Sequence, residues 1–334
     1  MADFVSGGVE ISALPFSNGC VATIGEGAMN GMASDQIKNR VQRIAVIGAG
    51  TMGGQIAARS AMAGKEVAIF DALDGAVDRC FERQRREILP SLVATAAFPD
   101  VSSDKAMARI RKATSIDEAV AGAELVIEAV REEIEVKRAV FRALSAATDA
   151  VLATNSSSLP SSLLVEAARN PSRLLNMHFF APIWVRTMLE VMSCGQTSPE
   201  AFESAMAFGK DLKLTTAAVR VESKGFIINR IWRAIKRESL RVVDEGVADP
   251  EDVDRLFMLF FQTDYPPFGI MDMVGLDVVE DIESSYQAVT VDPSDLPSNV
   301  LHSLVESGNL GEKSGSGFYQ HPNPAYQQEH FLKG

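Results

Sequence analysis

The sequence predicts an α/β chain, with a doubly wound sheet followed by an all-helical C-terminal part. Three observations predict it. Short apolar, β-branched runs alternate with helical stretches from residue 43 onward, the pattern of strand–helix units laid on both faces of one sheet. Several of these runs are apolar throughout, as in parallel strands buried on both faces. Past about residue 221 the strands stop, and apolar residues recur at helical spacing.

Residues 1–40 are rich in Gly, Ser and Asn without periodicity, and read as an irregular N-terminal extension. RIAVIGAG (43–50) is a strand ending in glycines, TMGGQIAARSAMAG (51–64) a small-residue helix closed by Gly64, and EVAIFD (66–71) a strand ending in an acid. AELVIEAV (123–130) is a strand, 132–147 a charged helix, and AVLATNSSS (150–158) a strand entering a polar turn. RLLNMHFF (173–180) and TMLEVM (187–192) are two more strands. In GFIINRIWRAIKRESLRVVDEG (225–246), positions 228, 231, 232, 235, 242 and 243 form an apolar helical stripe that stops before Gly246. DPEDVDRLFMLFF (249–261) opens a further helix, with Asp249 as cap and Pro250 in the first turn.

Composition narrows the function classes. With 46% hydrophobic and 23% charged residues, global disorder is excluded. A net charge of −12 leaves no basic surplus to neutralise phosphates, so a general nucleic-acid partner is not expected. Cys20, Cys80 and Cys194 form no CxxC pair and no disulfide framework, which fits a reducing compartment. No run reaches the length of a membrane span, and MADFVSGGVE lacks the basic start and apolar core of a secretory signal. The expectation is a cytoplasmic protein with no membrane partner and no metal site.

Gly48, Gly50 and Gly53 form GxGxxG between a strand and a helix, and Asp71 closes the next strand about 20 residues after Gly50. Each part has a task in holding a dinucleotide on a Rossmann-type sheet. Gly48 permits the tight turn, Gly50 lets the backbone approach a pyrophosphate, and Gly53 lets helix and strand pack closely. The helix N-terminus, from Thr51 and Met52, offers unpaired N–H groups to the phosphates. Asp71 suits the adenosine ribose hydroxyls and would repel a 2′-phosphate, with no arginine before Arg79, so NAD is expected over NADP. FAD uses a similar turn and is the alternative.

His178 and Glu190 stand in otherwise oily strands, where an ionised carboxylate needs a partner. If the two strands form an antiparallel pair, the register that sets Phe180 opposite Met188 also sets His178 opposite Glu190, with Cβ atoms about 5 Å apart. A carboxylate on one imidazole nitrogen fixes the tautomer, frees the other nitrogen as a base and stabilises the imidazolium once formed. On a dinucleotide-binding sheet, such a base suits alcohol oxidation by hydride transfer. A satisfied core histidine beside a structural carboxylate is the other reading of the same spacing.

RIAVIGAGTMGGQIA, NSSSLP, MHFFAP…LEV, KGFIINR and GNLGEKSGSGFY occur in an order that resembles the NAD-dependent 3-hydroxyacyl-CoA dehydrogenase family, over roughly residues 41–320. The resemblance implies a Rossmann domain, a helical dimerisation domain and interconversion of 3-hydroxy and 3-oxo thioesters, as in fatty acid metabolism. It implies that His178 is the catalytic base and Glu190 its electrostatic partner. Ser157 resembles the residue that hydrogen-bonds the substrate oxygen, and Asn229 the one that orients substrate. Glu132 and Lys137 match positions near the nicotinamide half. The division expected is 1–40 extension, 41–221 NAD-binding Rossmann domain and 222–334 helical substrate and dimerisation domain. A homodimer is implied, and the apolar surplus of DRLFMLFFQ fits one.

Three departures from the family pattern stand out. Ala181 replaces an asparagine, and IWVRT supplies Trp184 and Arg186, which predicts a bulkier, differently charged substrate wall. SLVATAAFPD (91–100) carries no lysine where the family commonly has lysines for CoA phosphates. The extension has no counterpart. A carrier-protein thioester or a free hydroxy acid therefore stands beside acyl-CoA as substrate, and a non-catalytic NAD-binding scaffold is the second alternative. Arg230, Arg233, Arg237 and Arg241 recur at helical spacing and read either as a ligand- or subunit-facing stripe or as a solvated face paired with glutamates; no site is assigned to them.

Overall fold

The computed structural model describes residues 40–288 and 298–333, so the expected extension lies, Arg40 apart, outside the described residues. Eight strands form one sheet in the order β3-β2-β1-β4-β5-β6-β7-β8. They are β1 (Arg43–Ile47), β2 (Glu66–Phe70), β3 (Ile110–Lys112), β4 (Leu125–Glu128), β5 (Val151–Thr154), β6 (Leu174–Phe179), β7 (Met188–Ser193) and β8 (Thr215–Val219). All neighbours run parallel except β6 and β7. The helices are α1 (Thr51–Met62), α2 (Ala76–Arg83), α3 (Leu89–Ala94), α4 (Ser103–Met107), α5 (Ile116–Val120), α6 (Ile134–Ala147) and α7 (Pro199–Asp211) around the sheet. After it come α8 (Ile228–Asp244), α9 (Pro250–Phe261), α10 (Pro267–Val274), α11 (Leu276–Gln287) and α12 (Asn299–Glu306).

The unbroken apolar character of β1 has a direct structural counterpart. Ile44 and Val46 face one core with Ile56 and Met62 of α1, while Ala45 and Ile47 face another with Phe141 and Leu144 of α6. Alternate side chains of one strand thus bury themselves on opposite faces. Two strands escape the pattern reading. β3 ends in Arg111 and Lys112, and β8 reads TTAAV; both are edge strands, with half the partners and little apolar demand.

A third core belongs to the C-terminal helices, where Leu240, Met258, Phe268, Met271, Leu276 and Tyr319 meet. The stripe expected on α8 is rotated in part: Leu240 faces this core, whereas Ile231 is exposed. Asp249 stands at the N-cap of α9, but its side chain makes no cap hydrogen bond. The arginine stripe divides. Arg233 pairs with Glu283 and Arg241 with Glu238 and Glu245, while Arg230 donates to Ser223 Oγ.

Asp254 joins the helices to the chain's end. Fully buried, it accepts from the Phe268 and Gly269 N–H groups at 2.9 and 3.1 Å and from the Tyr319 hydroxyl at 2.7 Å. Burial pushes its carboxyl up to about 6, more than those three donors lower it. A raised folded-state value means the native protein holds the proton more tightly than the unfolded chain. This group's contribution is full below the ordinary carboxylate value and is lost as pH rises through about 6. The stability advantage of the natural protein over Asp254→Asn is therefore expected to shrink, by up to about 3 kcal/mol, between pH 4 and pH 7. Calorimetric unfolding of both proteins across that range checks it, and a constant difference would refute it.

Candidate active site

The glycine turn sits where β1 feeds α1, next to β4, at the point where strand order reverses. Gly48 has φ +109°, a left-handed value that side chains avoid, and a Cβ there would lie 2.5 Å from the Ala129 carbonyl oxygen. A Cβ on Gly53 would lie 1.8 Å from the Gly48 carbonyl oxygen. Gly50 differs from both: a Cβ there would meet nothing within 4 Å. Its bareness relieves no contact inside the protein and leaves a cradle open beside the first turn of α1, as a backbone-bound pyrophosphate requires.

Two cavities flank this turn. One, of about 580 Å³, is lined by Gly50, Asp71, Arg79, Arg83 and Arg86 among others. Asp71 accepts from the Ala49 N–H at 2.7 Å and from the Leu73 N–H at 2.9 Å, so its carboxylate is aimed by the turn it faces. Arg83 donates to the Ala49 carbonyl at 3.0 Å. The other cavity, of about 480 Å³, brings together Met52, Glu132, Lys137, Ser157, His178 and Asn229, with Asn155, Phe180 and Ala181. Thr51 opens α1 and lines neither cavity; Gly48 and Gly53 lie behind the surface.

β6 and β7 pair with His178 directly opposite Glu190, the register expected from the strand pattern. His178 Nδ1 lies 2.9 Å from Glu190 Oε2, and both residues are almost fully buried, at 4% and 3% exposure. With Nδ1 engaged, Nε2 is the nitrogen left for the cavity. The ring is held between Phe180 and Phe226, with centroids 4.2 and 4.9 Å away. The other Glu190 oxygen, Oε1, accepts from the Ile227 and Ile228 N–H groups at 3.0 and 2.9 Å. These are the first N–H groups of α8, which are unpaired within the helix and carry its positive end. Nothing in the Glu190 neighbourhood of the sequence signals those two donors.

A second buried carboxyl group answers to the same cue, an acid inside an apolar strand, and has no role assigned from the sequence. Glu128, fully buried in β4, binds Lys137 Nζ at 2.8 and 3.1 Å, the Val130 N–H at 2.7 Å and the Thr154 hydroxyl at 2.7 Å. Lys137 also pairs with Glu132 at 3.2 Å. Burial pushes the Glu132 carboxyl up, but Lys137 and the hydroxyls of Ser156 and Ser158 outweigh it and hold the carboxyl below the usual range. Asn155 was also missed; its Oδ1 accepts from the Phe179 N–H at 3.0 Å and ties β5 to the strand of His178. The expected wall of Trp184 and Arg186 is not the one found. Trp184 packs against the sheet core and Arg186 donates to the Ala181 carbonyl, leaving Phe180 and Ala181 to face the cavity.

A cleft that receives a dinucleotide along a glycine turn and ends at a buried imidazole is the arrangement of an NAD-dependent oxidoreductase. The particular lineage follows from comparison: the chain belongs to the 3-hydroxyacyl-CoA dehydrogenase family, whose NAD binding domain matches residues 43–224 and whose C-terminal domain matches residues 225–321. A 3-hydroxybutyryl-CoA dehydrogenase of Mycobacterium tuberculosis is 32% identical, covering 85% of this chain and 99% of its own. The crystal structure of an (S)-3-hydroxybutyryl-CoA dehydrogenase from Ralstonia eutropha superposes with a TM-score of 0.77 at 28% identity, over 84% of this chain and 99% of that one. The 5-formyl-3-hydroxy-2-methylpyridine 4-carboxylate 5-dehydrogenase of Mesorhizobium japonicum is 30% identical, covering 84% of this chain and 90% of its own. Among the described residues no helix is long and apolar enough to cross a membrane.

With a ribose bound at Asp71, the Asp71→Ser variant is expected to bind NADH about tenfold or more weakly, the cost of charged hydrogen bonds. Its preference for NADH over NADPH should narrow, because Arg79 shares that cavity. Fluorescence titration with both cofactors checks this, and unchanged affinities would place the ribose elsewhere.

Proposed function

We propose that the protein interconverts a 3-hydroxyacyl-CoA and the corresponding 3-oxoacyl-CoA, with His178 as general base and acid and Glu190 as its partner. One observation carries the reading: a buried imidazole whose Nδ1 is taken by a carboxylate faces a cavity that begins at the dinucleotide turn. In oxidation Nε2 removes the hydroxyl proton, and in reduction it returns it. Bound NAD supplies the hydride acceptor or donor. Ser157 and Asn229, on opposite sides of the histidine in sequence, hold the reacting oxygen from the cavity wall. Glu190 balances the positive charge that the ring gains with the proton.

Gly48, Gly50, Thr51, Met52, Gly53 and Asp71 form the proposed cofactor path, and Glu132 with Lys137 meets its nicotinamide half. In this reading residues 41–221 hold the cofactor, and residues 222–334 close on the acyl group and pair two subunits. The protein then works as a cytoplasmic homodimer in fatty acid metabolism. Support for pairing comes from α9, where Leu256, Leu259 and Phe260 share a face at 67%, 51% and 81% exposure. A monomer rarely leaves such side chains together in water. Phe260→Glu is expected to shift sedimentation toward a single chain, and an unchanged mass would remove α9 from the interface.

His178→Gln is expected to lower turnover of acetoacetyl-CoA by about 10²–10⁴-fold while NADH binding stays near its original affinity. Stopped-flow absorbance and fluorescence titration read the two quantities. Undiminished turnover would take His178 out of the mechanism, and no NADH oxidation by the natural protein with any 3-oxo thioester or 3-oxo acid would favour a scaffold.

A second reading keeps the chemistry and changes the substrate to a carrier-bound or free acid. The lysine-free segment 91–100 and the pyridine carboxylate named for the Mesorhizobium relative favour it. Comparing kcat/KM for CoA, pantetheine and free-acid forms separates the two, since remote binding energy appears in that ratio. A CoA form with no advantage would select the second reading.

A further inference from the structure

Gln55 and Arg59 lie one turn apart on α1, on the face that starts with Met52 at the cavity. Both are buried, at 6% and 1% exposure, and neither lines the cavity. Their hydrogen bonds leave the helix altogether. Gln55 Oε1 accepts from the Ile183 N–H at 2.9 Å, and Arg59 Nη1 donates to the Ile183 carbonyl at 2.9 Å. One buried residue is thus gripped at both of its backbone polar groups. Arg59 Nε and Nη2 donate to the carbonyls of Leu212 and Lys213, each at 2.9 Å, in the connection from α7 to β8. The same guanidinium therefore ties the connection between β6 and β7, the strands of His178 and Glu190, to the connection that leads into β8.

The chemistry of this cluster is unusual for a core. Among the described residues no carboxylate pairs with Arg59, whose charge is met by three carbonyl dipoles and the face of Phe98 at 5.7 Å. Burial alone holds its pKa down to about 10. For stability by itself, apolar side chains of like volume would serve as well or better than a buried cation. What they would lack is direction: five fixed N–H vectors that set where a loop lies. That loop is Phe180–Ile183, whose first two residues form the cavity wall beside His178.

We infer that Gln55 and Arg59 are positioning residues that lock the Phe180–Ile183 wall to the dinucleotide helix, so that the acyl group is presented to His178 at one fixed distance from the cofactor. The inference rests on the dehydrogenase reading above. Gln55→Met keeps length and loses the acceptor, and a wall misplaced by about 1 Å can cost as much as 10²-fold. The variant is expected to raise KM for acetoacetyl-CoA about fivefold or more, with kcat reduced and the NADH dissociation constant within about twofold of its original value. Gln55→Glu, which keeps an acceptor facing Ile183, should restore much of the loss. Simple loss of folded protein lowers kcat and leaves KM unchanged.

A second measurement needs no turnover. Trp184 adjoins Ile183, and in a Trp232→Phe background it is the sole tryptophan. Acrylamide quenching of its fluorescence is expected to rise by about twofold in Gln55→Met, as local opening of a loop exposes its side chains. Raised quenching in a natural protein that fails to oxidise NADH would uphold the grip and sink only the proposed activity. Unchanged KM together with unchanged quenching in Gln55→Met would overturn the inference.

Discussion

The structure depends on one carboxyl group being fully partnered where water hardly reaches it. Glu190 sits midway along β7, buried between β6 and the edge strand β8, and an unpaired ion there would cost several kcal/mol. Three partners compensate: the imidazole of His178 on one oxygen and two N–H groups opening α8 on the other. None is optional. Remove the helix, and one oxygen faces apolar side chains; remove the imidazole, and so does the other. The same contacts that make the ion tolerable set the orientation of the ring. The antiparallel pairing of β7 with β6 puts residues 178 and 190 directly opposite each other on one face.

Another wall of the His178 cavity repeats this logic with different groups. Glu128 is buried and its oxygens are met by an ammonium, a hydroxyl and an N–H, and Lys137 in turn pairs with Glu132 at the cavity edge. The relay runs from the sheet floor to the surface through β4, β5 and α6. Lys137 and Glu132, which line the cavity, are thereby anchored on Glu128, which does not, and their geometry is fixed before anything binds.

Local features were legible in the sequence because each has a short-range cause. The glycine turn, its helix and the acid of β2 lie within one strand–helix–strand unit, and the His178–Glu190 register follows from the period of two in strands joined by a short connection. Features that depend on distant backbone were not legible. Ile227 and Ile228 meet Glu190 through N–H groups that any residue would carry, and Ile183 answers Gln55 and Arg59 in the same anonymous way. β3 and β8 lack the apolar runs of the central strands because edge positions do not demand them. The sequence places Trp184 and Arg186 beside the wall but is silent on which way the turn points them. The structure turns one to the sheet core and the other to the Ala181 carbonyl.

The three glycines of the turn respond differently to a side chain. At position 48 the backbone itself resists, and at position 53 the helix is driven off its strand. At position 50 the protein has room to spare. On the proposed cofactor path, occupancy and architecture are therefore separable at a single methyl group: one at position 50 would shut a pyrophosphate out while every strand and helix stays where it was.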